Sequence, residues 1–199
     1  MTAVLQLLAA YLLGSIPFAY LAGKMLKGID IRQHGSGNVG ATNTFRVIGK
    51  GPGTAVLLLD IAKGWVAAAW LPSLAAAPFA GWPAVLGLAA VLGHSYTCFL
   101  RFKGGKGVAT SAGVFLGLAP LATLGVIVIF LVVFLTTRMV SAGSLMAALF
   151  LPPLVFHFNG PSEPVFWLAL VLAVVVWVKH IPNIKRILAG TESRFGKQA

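Results

Sequence analysis

Apolar residues run along this chain in blocks too long for the helices of a soluble core, separated by short polar stretches rich in glycine. The first block runs from Ala3 to Gly23, the second from Thr54 to Leu71 and the third from Pro83 to Leu100. A long tract follows from Val108 to Thr137, then Ala142–Phe158 and Pro164–Val178. A membrane-crossing helix needs roughly 17–25 mostly apolar residues, so each block predicts a spanning helix. Polar pieces lie at 24–53, 101–107 and 179–199. After Pro182 the pattern predicts one more short helix, stopped at Gly190, because proline suits a first turn and glycine a C-terminal cap.

The tract 108–137 is longer than one span and short for two, at about 1.5 Å of rise per residue. Charge decides how to divide it. The chain carries 15 Lys+Arg against 4 Asp+Glu, a net charge of +11. Lys24, Lys27, Arg32, Arg46 and Lys50 fill the first polar loop, whereas 72–82 holds no charge. Placing the first loop in the cytoplasm brings Arg101, Lys103 and Lys106 to the same side. A single crossing by 108–137 would strand Arg138 and the basic tail outside, against the positive-inside bias. The tract therefore divides near Gly117–Pro120. The expected fold is an all-α polytopic bundle of seven spans in one domain, 1–199, with the N-terminus outside and the C-terminus cytoplasmic. Five spans plus a re-entrant hairpin have the same parity.

Composition agrees, with 58% hydrophobic and 10% charged residues, against about 25% charged in a soluble domain. The first basic residue, Lys24, follows the first apolar block, so 3–23 reads as a retained helix rather than a secretory signal. Cys98 is the sole cysteine, which excludes a disulfide framework and a cysteine-cluster metal site. The loop bias accounts for the basic charge without nucleic acid.

Two loops carry candidate chemistry. Gly35-Ser36-Gly37-Asn38-Val39-Gly40-Ala41-Thr42-Asn43, followed by Arg46, spells the dinucleotide fingerprint but lacks its preceding β-strand. Such a loop can still turn backbone N–H groups inward around an anion, with hydroxyl and amide donors beside them. Arg46 adds a bidentate phosphate grip. In the second loop Gly104, Gly105 and Gly107 bracket Lys106 at the start of a helix that holds Thr110, again a setting for an anion. It is not a P-loop, because Gly107 follows the lysine where Ser or Thr belongs. A flexible linker and a basic membrane flank are the plainer readings of the two loops.

Asp60 and Lys63 share a face of the second helix, either as a structural ion pair or as functional groups. Ser141 and Ser144 open a later helix, where ordinary N-caps would also stand. His180, Asn183 and Arg186, with Gly190 and Glu192, form a polar cluster in the tail; a basic amphipathic surface helix is the alternative.

Together these motifs resemble the bacterial acyl-phosphate:glycerol-3-phosphate acyltransferase family of the PlsY type. The likeness rests on the Gly35–Asn43 run with Arg46, on Gly93-His94 through Gly104-Gly105-Lys106-Gly107-Val108-Ala109-Thr110, and on Asp60–Lys63–Gly64. Ser141–Ser144 and the His180–Asn183–Arg186 tail extend it. The resemblance implies seven membrane helices in the bacterial inner membrane, with the motif-bearing loops facing the cytoplasm. It implies transfer of a fatty acyl group from acyl phosphate to glycerol 3-phosphate, giving lysophosphatidic acid for phospholipid synthesis, without cofactor or metal. Ser36, Arg46, Lys106, His180 and Asn183 are the expected catalytic residues. Gly35, Gly37, Asn38, Gly40, Thr42, Asn43, Gly104, Gly105, Gly107, Thr110, Ser141 and Ser144 are the expected binding residues.

The residues suit that chemistry. Both substrates carry phosphate groups, and an acyl phosphate is already activated, so positioning and charge stabilisation suffice. The H-x-x-x-x-D dyad of thioester-dependent acyltransferases is missing, since Val39, Phe99, Ser162 and Lys185 stand five residues after the four histidines. A transporter for small phosphorylated anions is the rival. It predicts internal repeats and binding residues near the bilayer midplane, neither of which the chain displays. A metal-dependent phosphotransferase would want clustered carboxylates; Asp30, Asp60 and Glu192 are far apart in sequence.

Overall fold

The computed structural model describes residues 2–75, 77–161 and 163–196, and all regular structure among them is helical. The chain divides into two compact units, Met1–Leu118 and Ala119–Ala199.

The first unit begins with α1 (Ala3–Ser15) and α2 (Phe18–Lys27). The apolar pattern predicts one unbroken helix here, but the pair bends by 41°. Pro17 supplies the reason: it has no N–H to donate, and it pushes Ile16 out of the helical region. A short helix α3 (Ala41–Val47) leads to α4 (Lys50–Trp65). The path of α4 continues through a widened turn at Val66–Trp70 and a tight one at Leu71–Leu74, making a helical stretch of 25 residues. Then come α5 (Trp82–Ser95), a turn at Cys98–Leu100, and α6 (Val108–Leu118).

Helices meet closely in this unit because small residues line the contacts, as membrane bundles require where water provides no drive between helices. A Cβ on Gly14 would overlap the Ala90 carbonyl, and one on Gly93 would overlap that of Tyr11. Gly64 lies likewise against the Thr110 carbonyl, and Gly113 against that of Ile61. Gln6, wholly buried in α1, donates to the Leu71 carbonyl at 2.9 Å and accepts from Trp82 Nε1 at 2.7 Å. Because backbone cannot yield as a side chain can, Gly113→Val should prise α6 from α4. We expect it to lose at least the ~1–3 kcal/mol typical of overpacking, seen as a lower thermal midpoint in detergent. An unchanged midpoint would contradict this packing.

The second unit holds α7 (Pro120–Thr137), α8 (Val140–Asn159), α9 (Pro164–Lys179) and α10 (Ile181–Leu188). The long apolar tract is divided where the sequence predicts: α6 ends at Leu118, Ala119 leaves the helical region, and Pro120 opens α7. Leu121, Leu124, Val128, Leu131, Val132 and Leu135 on α7 remain 45–62% exposed. An apolar face of that extent calls for lipid rather than water. On the inner side Leu145, Leu151 and Val155 of α8 are buried, as are Val165, Leu168, Leu172 and Val176 of α9.

Among the described residues, four helical stretches are long and apolar enough to cross a membrane: Lys50–Leu74, Trp82–Leu100, Pro120–Thr137 and Val140–Asn159. Counting α1–α2 and α9–α10 as one bent span each makes six. α6 is apolar but has 11 residues, about 16 Å and half the ~30 Å hydrocarbon core.

Candidate active site

The first polar loop is folded, not a linker. Ile31 and Val39 are buried with Ala19, Val56 and Leu100, which nails the loop to the ends of α2 and α4. Asp30 starts a single tight turn by accepting the Arg32 N–H at 3.0 Å, and the Arg32 guanidinium returns to the same carboxylate at 2.6 Å and 3.0 Å. Those Arg32 hydrogen bonds outweigh the desolvation of Asp30 and hold its carboxyl down at about 2. Lys27 Nζ donates to the Val47 carbonyl at 2.7 Å, tying the end of α3 to α2.

Within the loop, Gly35 and Gly37 take φ of +60° and +69°, values L side chains rarely adopt, and they flank the exposed Ser36. Asn43 makes this conformation possible. Its Oδ1 accepts the Ser36 N–H at 2.9 Å, and its Nδ2 donates to the carbonyls of Ile31 (3.1 Å) and His34 (3.0 Å). Expected as a ligand donor, Asn43 is fully buried with both ends of its amide engaged in holding the loop. Asn38 and Thr42 are half-buried, Gly40 precedes α3, and Arg46 is exposed on α3.

The second loop comes off α5 through Arg101 and Phe102, two successive non-glycine residues with positive φ (54° and 61°). Thr97 braces this turn, accepting the Phe102 N–H on its carbonyl at 2.9 Å and donating its hydroxyl to the Ser15 carbonyl at 2.6 Å. Gly104 and Gly105 then dock on the end of α5, their N–H groups donating to the carbonyls of Ser95 (3.2 Å) and His94 (3.1 Å). A Cβ on Gly105 would overlap His94 Nε2 and stand 2.5 Å from the Val39 carbonyl oxygen. The two glycine-rich segments, 66 positions apart from Val39 to Gly105, thus touch through bare backbone. Lys106 is half-buried beside this contact. Thr110 is fully buried inside α6, and among the described residues its Oγ1 finds no hydrogen-bond partner.

Asp60 stands ten residues into α4, about 15 Å along it, deeper than the ~9 Å implied by a helix starting at Thr54. It forms a buried ion pair with Lys63 at 2.8 Å, and Lys63 Nζ also donates to the Ile16 carbonyl at 2.9 Å. That carbonyl sits at the break between α1 and α2, so Lys63 satisfies a group the bend exposes. His94 Nδ1 lies 3.5 Å from Asp60 Oδ1. The sequence motif gives His94 no task of its own; an imidazole at the end of an apolar helix is the signal that marks it.

In the second unit Glu192 is the hub. Its side chain is 4% exposed and accepts from Ser141 Oγ at 2.6 Å, Asn183 Nδ2 at 2.6 Å and Arg186 Nε at 2.7 Å. Burial pushes its carboxyl up, but the bonds from Ser141, Asn183 and Arg186 and the Arg186 charge more than reverse this, leaving it below the ordinary value. Neither Ser141 nor Ser144 is an N-cap. Met139 holds that position, and Ser144 Oγ returns to the Val140 carbonyl at 2.9 Å. Pro182 starts α10 rather than spoiling its register, and the 57° bend falls at His180. Asn183 and Arg186 keep their common face and converge on Glu192. His180 points back to the Val176 carbonyl, to which Nδ1 donates at 2.8 Å. A carbonyl oxygen can only accept, so Nδ1 carries a proton.

Helical throughout, apolar on its outer faces and carrying its polar chemistry in backbone-lined loops, the chain is an integral membrane protein of the all-α class. A family model described as glycerol-3-phosphate acyltransferase matches residues 4–190. The glycerol-3-phosphate acyltransferase of Trichlorobacter lovleyi is 50% identical over 189 residues, covering 94% of each chain. The crystal structure of PlsY, an integral membrane glycerol 3-phosphate acyltransferase, in its glycerol 3-phosphate form superposes with a TM-score of 0.90 at 41% identity, covering 98% of this chain and 96% of that one. Its lysophosphatidic acid form gives 0.87 at 40% identity, covering 98% and 95%. The chain belongs to the glycerol-3-phosphate acyltransferase family.

Proposed function

We propose that this enzyme moves a fatty acyl group from acyl phosphate to glycerol 3-phosphate, making 1-acyl-glycerol 3-phosphate and inorganic phosphate. The observation that carries the reading is the direct contact of the two glycine-rich segments at Val39 and Gly105, with Lys106 beside it. Two phosphate-bearing substrates repel each other, and one cationic corner that neutralises both lets them meet. The glycerol hydroxyl oxygen attacks the acyl carbon. The bond from that carbon to the phosphate oxygen breaks, phosphate leaves, and the hydroxyl proton passes to a substrate phosphate oxygen. No covalent acyl-enzyme forms. Lys106, Arg46 and the Ser36 loop grip phosphate; Asn43 holds that loop in shape. His180 and Asn183 are assigned to substrate binding from their chemistry, with His180 Nε2 the second choice as proton acceptor.

The reading includes seven spans, with α6 as the seventh, an outside N-terminus and a cytoplasmic C-terminus in a bacterial inner membrane. The chain then works as one acyltransferase domain surrounded by membrane lipid, with the tail of the acyl phosphate dissolved in the bilayer and glycerol 3-phosphate arriving from the cytoplasm. The test is to give purified enzyme glycerol 3-phosphate with acyl phosphate, acyl-CoA or acyl carrier protein in turn, with and without chelator. Product from acyl phosphate alone, unaffected by chelator, is expected; turnover only with a thioester or added metal would refute the proposal.

A further inference from the structure

The Lys63–Asp60–His94 chain is a buried group of ionisable side chains that the proposed reaction does not use, and it lies within the first unit. The side chains of Lys63, Asp60 and His94 are 2%, 3% and 8% exposed. Placing three such groups in an apolar bundle costs several kcal/mol in desolvation unless geometry compensates. Lys63 has a structural task at the Ile16 carbonyl, and Asp60 supplies its counter-charge. Neither task calls for a histidine. An apolar residue at 94 would leave the Lys63–Asp60 pair intact, so the imidazole must serve something on its other side.

That other side is the second glycine loop. The imidazole has Nδ1 at 3.5 Å from Asp60 Oδ1, and its Nε2 occupies the space where a Cβ of Gly105 would go. The His94 carbonyl meanwhile accepts the Gly105 N–H at 3.1 Å. Gly105 is therefore held twice by one residue, by backbone and by ring, and its far side rests on Val39. The next residue is Lys106. We propose that His94 is a positioning residue: anchored by Asp60, its ring sets the backbone of Gly104–Gly105 and thereby aims Lys106 at the phosphate. Asp60 is the anchor and Lys63 the counter-ion that keeps Asp60 in place. This rests on the reading of Lys106 as a phosphate grip.

The experiment compares full-length wild type, His94→Ala, Lys106→Ala and the double variant, with glycerol 3-phosphate and acyl phosphate as substrates. His94→Gln is a fifth enzyme, keeping polar volume near the Nε2 position should the alanine variant not fold. Thermal midpoints are recorded for all. His94→Ala should lower kcat at least tenfold in the wild-type background and less than twofold when Lys106 is already alanine. His94→Gln should recover part of the loss, with its midpoint near wild type. Equal losses in both backgrounds would reduce His94 to a packing residue, and an unchanged kcat would remove the role altogether. If Lys106→Ala itself turns over as well as wild type, the phosphate-grip reading of Lys106 fails. If Lys106→Ala is impaired while every His94 variant is normal, only the positioning role fails.

Discussion

Lys106→Ala is expected to lower kcat/KM by about 100- to 1000-fold while the protein still inserts and unfolds at a near-normal temperature. Its charge is compact and half-buried, and it stands between Gly105 and Gly107, the latter at φ +81°. A preorganised cation facing developing negative charge in a partly desolvated site contributes ~2.7–4 kcal/mol to the barrier, the scale seen when one oxyanion donor is removed. The substitution leaves in place the backbone bonds from Gly104 and Gly105 that dock the loop. Steady-state kinetics beside a detergent melting curve separate the two quantities. Activity within threefold of wild type would remove Lys106 from the chemistry.

Glu192→Ala should act through stability. The carboxylate is the common acceptor for Ser141, Asn183 and Arg186, which draw the tail after α10 onto the start of α8. Removing it takes from the buried Ser141 hydroxyl its carboxylate acceptor, at ~1–3 kcal/mol for such a group. The melting point should fall by several degrees, and activity should fall with it because Asn183 loses its bearing. The same carboxylate gives a pH signature. Its folded-state pKa is below the ordinary value, so it stabilises the fold fully above the usual glutamate value of about 4.3 and loses that contribution as pH falls through the lowered one. Wild type should therefore destabilise on acidification below about 4.3, and Glu192→Gln should give a shallower profile. Matching profiles would show that the carboxylate does not hold the tail.

Much of this was legible from the order of residues. Blocks of apolar side chains name the helices, and charge bias required the break that Ala119 and Pro120 make. The glycine motifs located both loops. What stayed hidden was anything set by contact between distant segments. No spacing rule connects Val39 with Gly105, or His94 with Asp60, since those pairs meet only after α1, α4, α5 and α6 have packed. The type of the Asn43 amide does not reveal that the carbonyls of Ile31 and His34 and the Ser36 N–H surround it. Ser141 and Glu192 are 51 positions apart, and a serine near a helix start resembles a cap until its partner is known. The bend at Pro17 was readable in principle, but an apolar block with one proline also describes a kinked single span.

Hydrogen exchange of the purified enzyme with and without glycerol 3-phosphate bears most directly on the joined phosphate site. Backbone amides in 35–46 and in 104–107 should both slow on adding the substrate, because one bound anion is shared by the corner they form. Protection confined to one segment, or to neither, would contradict it.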